Sequence, residues 1–508
     1  MRSQSTVKGT PRLRALAGGL AAAALAAGIL VAAAGPALAG EPGGSDPAAA
    51  GQQAPPPKAE EIPPAPPTSG YDKGFFIRWE KFEIRFGARL QVLYQRTDPD
   101  TFMYDSMLQS TDSTQPLNDF FVRRFKFSMQ GFAFNPALKY KFQIDIVPFK
   151  IGSGNGGNVR LDEAYVDITY KPWTSVIVGQ FKVPWSYEKM TSSGKLDLVD
   201  RSIVNAFFGV NQEPGAALYG VSYDKKFRYD VSITQGVSDL AGYNTVNDVS
   251  ADEGSDFRYI GRVTWEPLAP YVMEEGAVNN PEKAQLTLQL GLQSNRNTVP
   301  LDTDPLMPKD QIVPLGPNEL GAPSPTFSPA VTATLAQWVG VSQSRKPYNR
   351  NEIELLGAWK YKRWYVEGQA ILGTVDPDLS WLQGFNADLR NLSFDNSGYR
   401  LQGGFMLIPT KLELAGRWAQ VTRKSEAEFY DNPTVNEEAE NVEYRLGVNW
   451  YFRKYDWKWQ FDIGQITTTK KLDGVELVVP DAEANPDKLI QNNARVDRIF
   501  RSQIQFQF

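Results

Sequence analysis

Phe82-Glu83-Ile84-Arg85-Phe86-Gly87-Ala88-Arg89-Leu90-Gln91-Val92-Leu93-Tyr94-Gln95 alternates with a period of two. Phe82, Ile84, Phe86, Ala88, Leu90, Val92 and Tyr94 share one parity, and the other parity is polar apart from Gly87 and Leu93. That is a strand with one apolar face. In a soluble sandwich the apolar face meets a core. In an outer-membrane barrel it meets lipid while the polar face lines a lumen. One strand leaves both readings open, so the connections must decide.

Similar segments recur near 120–133, 138–147, 159–170, 175–183, 216–224, 227–235, 257–265, 286–294, 352–361, 364–372, 399–408, 411–421, 442–452, 457–466 and 496–508. With the first they predict a 16-stranded antiparallel transmembrane β-barrel, an all-β fold. Tight connections, such as Lys225-Lys226 and Lys362-Arg363, alternate with long ones such as 184–215, 295–351 and 467–495. Short periplasmic turns and long extracellular loops are the pattern of such barrels. Residues 266–285 break it, being long where a short turn belongs. Closure also removes the exposed edges that so many strands would otherwise leave.

The ends carry further instructions. Arg2, Lys8, Arg12 and Arg14 precede the apolar run 15–34, and Ala37-Leu38-Ala39 offers a cleavage site. Residues 1–39 are therefore expected to be a signal peptide. Residues 40–71 are expected to be a Pro/Ala-rich disordered periplasmic linker, with nine prolines between 41 and 70, and 72–508 the barrel. The protein is expected in the cell outer membrane, exported through the periplasm. Ile504, Phe506 and Phe508 alternate with glutamines, and a terminal aromatic of this kind resembles the tag by which barrel assembly machinery selects its clients.

The full chain has 508 residues, no Cys and no His. That removes disulfides, Cys or His metal ligands and Ser–His–Asp chemistry. No catalytic residue, metal or cofactor is expected, and the protein is read as no enzyme. Losing the leader leaves 49 Lys+Arg against 58 Asp+Glu, a net charge of −9. No nucleic acid is expected as a partner. Charges should avoid the lipid parity, where Lys or Arg near the midplane costs about 2–4 kcal/mol. By parity, Arg85, Arg89, Lys126, Lys141 and Lys182 face the lumen as guidance for anions. The same parity collects Arg124, Lys139, Arg258, Arg262, Arg400, Arg417 and Arg445, and the wall comes out net positive. Acidic groups such as Glu426, Glu428, Asp431, Glu437, Glu438 and Glu440 are assigned to an outer loop.

Phe121-Val122-Arg123-Arg124-Phe125 with Gly131 and Lys139-Tyr140 is similar to the early strands of the phosphate-selective porin O/P family. So is Leu161-Asp162-Glu163-Ala164-Tyr165-Val166. Gly179-Gln180-Phe181-Lys182-Val183-Pro184, Glu188-Lys189-Met190-Thr191-Ser192-Ser193 and Asp200-Arg201 resemble its lead into a third loop folded into the pore. Gly404-Phe405-Met406-Leu407-Ile408-Pro409-Thr410-Lys411 fits as well. The resemblance implies an outer-membrane anion porin, a homotrimer, with phosphate or polyphosphate guided by basic residues. Carried over by motif, the site is Arg123, Arg124, Lys139, Asp162, Lys189, Ser192 and Arg201. A planar guanidinium forks onto phosphate oxygens and lysine adds a mobile charge. Two departures stand out. Gly194 occupies the position of a family lysine, and Arg123 and Asp162 fall on the lipid parity unless a bulge or the rim rescues them.

Other signals are weaker. Gly152–Gly157 fits G-x-G-x-x-G, but a strand follows where a helix should. The acidic stretch 426–440 reads as a solvated loop before it reads as a Ca²⁺ site. Tyr94, Tyr140, Trp173, Tyr219, Trp364, Trp418 and Trp450 read as lipid-facing bands and girdles. The expected partners are small phosphate-like anions, with outer-membrane lipid and lipopolysaccharide around the barrel. The competing class is an envelope-anchoring or adhesive barrel acting through its loops and proline-rich tail.

Overall fold

A computed structural model of the chain describes residues 68–72, 74–99, 117–146, 159–236, 257–297, 348–377, 389–429, 435–473 and 494–508. The expected leader, the spacer up to residue 67 and the 152–157 glycine stretch lie outside these residues.

The sixteen alternating segments become sixteen barrel strands. The first eight are β3 (Phe82–Pro99), β4 (Leu117–Ala133), β5 (Asn135–Ile146), β6 (Val159–Lys171), β7 (Thr174–Lys182), β8 (Gln212–Val221), β9 (Phe227–Thr234) and β10 (Arg258–Trp265). The second eight are β11 (Gln285–Asn297), β12 (Tyr348–Tyr361), β13 (Trp364–Pro377), β14 (Leu389–Ile408), β15 (Leu412–Phe429), β16 (Val435–Arg453), β17 (Trp457–Asp473) and β18 (Ala494–Gln507). Each pairs antiparallel with its sequence neighbour, and β18 returns to β3 with Gln507 opposite Arg89 and Asp497 opposite Pro99. The barrel is closed.

Two more strands precede it. β1 (Thr68–Tyr71) and β2 (Phe75–Trp79) form a hairpin, and β2 pairs with Phe82–Phe86 of β3. Thr68–Tyr71 therefore belongs to the sheet and not to the spacer, whose expected boundary at 71 is corrected. β18 covers β3 only from Arg89 onward, and the hairpin covers the remainder, leaving no open edge there. At the junction Phe508 and Ala88 exchange two backbone hydrogen bonds of 3.0 Å.

The parity sorts as the physics demands. Leu90, Phe127, Val166, Val263, Leu290, Leu355, Leu401 and Leu446 are exposed on the outer face. Phe227, Trp265, Trp364, Trp450 and Trp457 form an aromatic rim at the short-turn end, where amphipathic rings favour a membrane interface. Tyr219 is a correction to the girdle reading, because its hydroxyl donates inward to Asp167 at 2.7 Å. The tight turns place Phe134, Lys225, Lys362, Thr410 and Lys454 at positive φ, the geometry that short hairpins demand. The acidic 426–440 stretch also differs from a loop. Glu426 and Glu428 end β15, while Glu437, Glu438 and Glu440 open β16, and Lys424 reaches Glu438 at 3.3 Å. Asp431 lies outside the described residues.

Two connections fold inward. One is 183–211 between β7 and β8 at the long-loop end, and the other is 266–284 between β10 and β11 at the short-turn end. The irregular length of the second in the sequence is the mark of this inward excursion.

Candidate functional site in the lumen

Segment 183–211 carries two short helices, α1 (Tyr187–Met190) and α2 (Ile203–Phe208). Ser202 caps α2, its hydroxyl accepting from the Asn205 N–H at 3.2 Å. Val183, Trp185, Ile203, Val204, Phe207, Phe208 and Val210 pack on Ile260, Ile371, Val375, Phe394, Ala419, Val421, Ile466 and Ile499. The wall is thus apolar on its inner face where the segment rests. Each such buried side chain is worth about 1.5–3 kcal/mol relative to exposure, which holds the segment against the wall.

Polar groups fix its register. Glu188 accepts from the Ser202 N–H at 2.7 Å and hydroxyl at 2.6 Å. Arg417 donates to the Asp200 carbonyl at 3.0 Å, the Arg201 carbonyl at 3.2 Å and Glu443 at 2.7 Å. Arg445 bridges Glu443 and Asp462, and Arg400 meets Glu367 and Glu188. These arginines are sealed from water. They are structural clamps, so the count of lumen charges overstates the positive surface that a solute meets.

Segment 266–284 closes on the same side from below. The Glu275 N–H donates to the Lys195 carbonyl at 3.0 Å, and the Asp197 N–H donates to Glu275 at 2.9 Å. Lys195 approaches Glu274 at 3.6 Å, and Lys360 donates to the Val272 and Glu274 carbonyls. Gly276, at φ +75°, presses on two carboxylates; a Cβ there would lie 2.6 Å from Asp197 and 2.7 Å from Glu413. Burial, with Glu413 and Glu275 close by, pushes the Asp197 carboxyl well above the ordinary range.

The opposite wall, β3 to β7, is only partly covered, and some of its charged side chains reach water. Between Gln91 and Val92 the β3–β4 ladder slips by one, so Arg123 is an extra residue beside Arg124. Between Gln143 and Ile144 the β5–β6 ladder slips likewise, and Asp162 is the extra residue beside Glu163. Such bulges turn two consecutive side chains toward one face. This is how Arg123 and Asp162 reach the lumen from positions that simple alternation assigns to lipid.

Around the first bulge three guanidiniums surround one carboxylate. Asp200 lies 2.8 Å from Arg123, 3.6 Å from Arg124 and 3.4 Å from Arg501. Burial would raise the Asp200 carboxyl, but Arg123, Arg501 and Arg124 overcome it and hold it well below the usual carboxylate range. At the second bulge Lys126 reaches Asp162 at 2.5 Å and Asp145 at 3.4 Å. Arg89, Arg123, Arg124, Lys126, Lys141, Arg160, Lys182, Arg201 and Arg501 face Asp145, Asp162, Glu163 and Asp200 across this patch. Part of the positive excess reaches water here. Arg123 keeps 31 % of its side chain exposed and Arg160 55 %, against 0 % for Arg400.

The candidate residues divide accordingly. Arg123, Arg124 and Asp162 sit together at the bulges. Ser192 joins them through Arg89, which donates to Ser192 at 3.1 Å and Ser193 at 3.0 Å. A Cβ at Gly194 would fall 2.7 Å from the Arg89 Cζ, so the glycine that replaces the expected lysine makes room for another cation. Arg201 donates to the Glu188 carbonyl at 3.0 Å and the Thr191 carbonyl at 2.7 Å, bracing the segment while its charge faces the patch. Lys189 bonds Asn211 at the flank, and Lys182 donates to the Met190 carbonyl at 3.3 Å. Lys139 stands apart. It is exposed, opposite Phe132, eight residues along the ladder from Arg124, or about 26 Å at strand rise. Arg85 is tied to Asp72 and Glu83 at the hairpin junction and not in mid-lumen. Asp200 belongs to the Asp200-Arg201 motif but not to the expected site, and the structure puts its carboxylate at the centre of the arginines. The interrupted parity at Val122-Arg123-Arg124 and Leu161-Asp162-Glu163 was the available sign of both bulges.

The family described as phosphate-selective porin O and P matches residues 101–298, in agreement with the motif resemblance. Among proteins with curated descriptions, none matches the chain. Solved structures similar to it include an anion-selective porin from Comamonas acidovorans, at 10% identity and TM-score 0.47, covering 84% of this chain and 100% of that one. A loop-deletion mutant of OmpT from Vibrio cholerae gives 9% identity and TM-score 0.45, with 84% and 100% coverage. OmpF of Salmonella typhi in complex with daunomycin gives 11% and 0.42, with 87% and 100% coverage.

Proposed function

We propose that this barrel is a passive outer-membrane channel for small anions, with phosphate-like oxyanions favoured where the inward segment 183–211 narrows the lumen. The observation that carries the reading is the pair of bulges. The first turns Arg123 inward beside Arg124, so that with Arg501 three guanidiniums surround Asp200, and the second turns Asp162 inward beside Lys126, so the local charge stays positive in a chain that is acidic overall. Guanidinium and ammonium donors replace part of an anion's hydration shell as it passes. Asp145, Asp162, Glu163 and Asp200 weaken the attraction and keep it from becoming a trap, since a site that conducts must also release. Lys139 and Lys141 continue the basic track toward the short turns, which face the periplasm in this orientation.

The same reading takes the terminal Phe508 as the contact for barrel assembly machinery and the homotrimer as the assembled form in lipid and lipopolysaccharide. Purified protein in planar bilayers should give discrete conductance steps in chloride, reduced in a saturable way by added phosphate. Absence of steps would remove the channel. Steps without phosphate block would leave a channel of no phosphate preference.

A further inference from the structure

A second, separate cavity of about 150 Å³ lies between the inner face of β8–β11 and the two inward segments. We propose that it binds a neutral polyol of monosaccharide size, a ligand unlike the anions of the bulge site.

The first reason is unused hydrogen-bonding capacity. Tyr187 and Tyr271 are 2% and 7% exposed and contribute to the lining. Their hydroxyls lie close enough to interact as a pair, and neither has any other hydrogen-bond partner. Arg262, 7% exposed, spends Nε and Nη2 on Asp230 at 2.9 and 2.7 Å, leaving Nη1 without a partner. Buried polar groups without partners each cost about 1–3 kcal/mol. One guanidinium N–H without a partner and two hydroxyls with none beyond each other, around one cavity, mark a place for a molecule that bonds them all.

The second reason is charge. Cationic liners come paired with acids: Arg262 with Asp230, and Arg228 with Glu266 at 3.3 Å. The cavity therefore has little net attraction for an anion, in contrast to the arginines around Asp200. A vicinal diol fits the Arg262–Asp230 pair, donating to the carboxylate and accepting from the guanidinium. The third reason is shape. Tyr187 and Tyr271 meet edge to face with centroids 6.2 Å apart, giving apolar ring surface beside polar ends, which suits the C–H face of a sugar ring. At the ~30 Å³ that a water occupies in the liquid, the cavity holds about five waters, the scale of a small polyol ring.

The test is calorimetry on the folded barrel in detergent, with glucose, galactose, xylose and myo-inositol as probes. At least one should bind saturably, and added phosphate should not displace it. The double variant Tyr187→Phe/Tyr271→Phe should weaken binding about tenfold or more, the loss of two hydrogen bonds. Tyr271→Phe alone, nearly isosteric, should weaken it by a smaller factor and guards against misfolding of the double variant. No saturable heat with any of the four probes, affinity unchanged in both variants, or displacement by phosphate would each overturn the proposal. Because the readout is binding, it stands or falls independently of conductance.

Discussion

Arg124 and Lys139 entered as members of one site, and their placement separates them. Replacing Arg124 by Gln should weaken phosphate block of the current about tenfold, equivalent to about 1.4 kcal/mol. Replacing Lys139, eight residues nearer the rim, should leave block within about twofold, because a solvated charge about 26 Å away is beyond the Debye length. Titrating phosphate against single-channel current for both variants checks this. Asp200 supports a second prediction. Its carboxyl is depressed by Arg123, Arg501 and Arg124 against the opposing effect of burial. Its stabilisation is therefore fully present above the unfolded pKa near 4 and fades only as pH falls toward the lower folded value. At pH 7, Asp200→Asn should cost about 3–5 kcal/mol, as breaking a buried pair does, while making the lumen more positive. Thermal unfolding should show the gap between wild type and variant at neutral pH, shrinking only under strongly acidic conditions. A gap that is constant down to such pH would contradict the assignment.

At the scale of elements, the bulge in β4 makes a sharp test. Deleting Arg123 should leave Val122 opposite Val92 and Arg124 opposite Gln91, now in plain alternation. The barrel should fold, shown by retained β-structure and heat-modifiable migration, while phosphate block falls as in Arg124→Gln. A deletion that keeps full block would mean that the bulge plays no part in the site. The strands themselves were legible because alternation needs only local sequence: all sixteen barrel segments follow from it. β2 was missed because Phe75-Phe76-Ile77-Arg78-Trp79 is too short and too uniformly apolar to show a period. The bulges were legible only as parity violations at Arg123 and Asp162, since register depends on the neighbouring strand. The clamp roles of Arg400, Arg417 and Arg445 were not legible at all. Their parity reads as lumen, and only the inward packing of 183–211 shows that they are sealed.

For the molecule as a whole, the lumen is divided into a packed side and an open side, and pH should act on the two differently. Asp197 joins the inward segments within reach of Glu413, Glu275, Lys458, Lys360 and Tyr451. Its carboxyl is raised by burial, then by Glu413 and Glu275, so the docked state favours the protonated form. That contribution is present at low pH and is lost as pH rises through the folded value. Limited proteolysis within 266–284 should therefore accelerate as pH rises above the ordinary carboxylate range, and Asp197→Asn should flatten the dependence. The opening charge balance also changes meaning at this scale. The chain is acidic, yet the water-reached wall is basic, because acids and bases were sorted between sealed clamps and the bulge patch. The central claim is that this local sign governs permeation. Its most direct test is the reversal potential in a planar bilayer under a KCl gradient. A basic lumen should displace the potential toward the chloride equilibrium value, and displacement toward the potassium value would contradict anion preference.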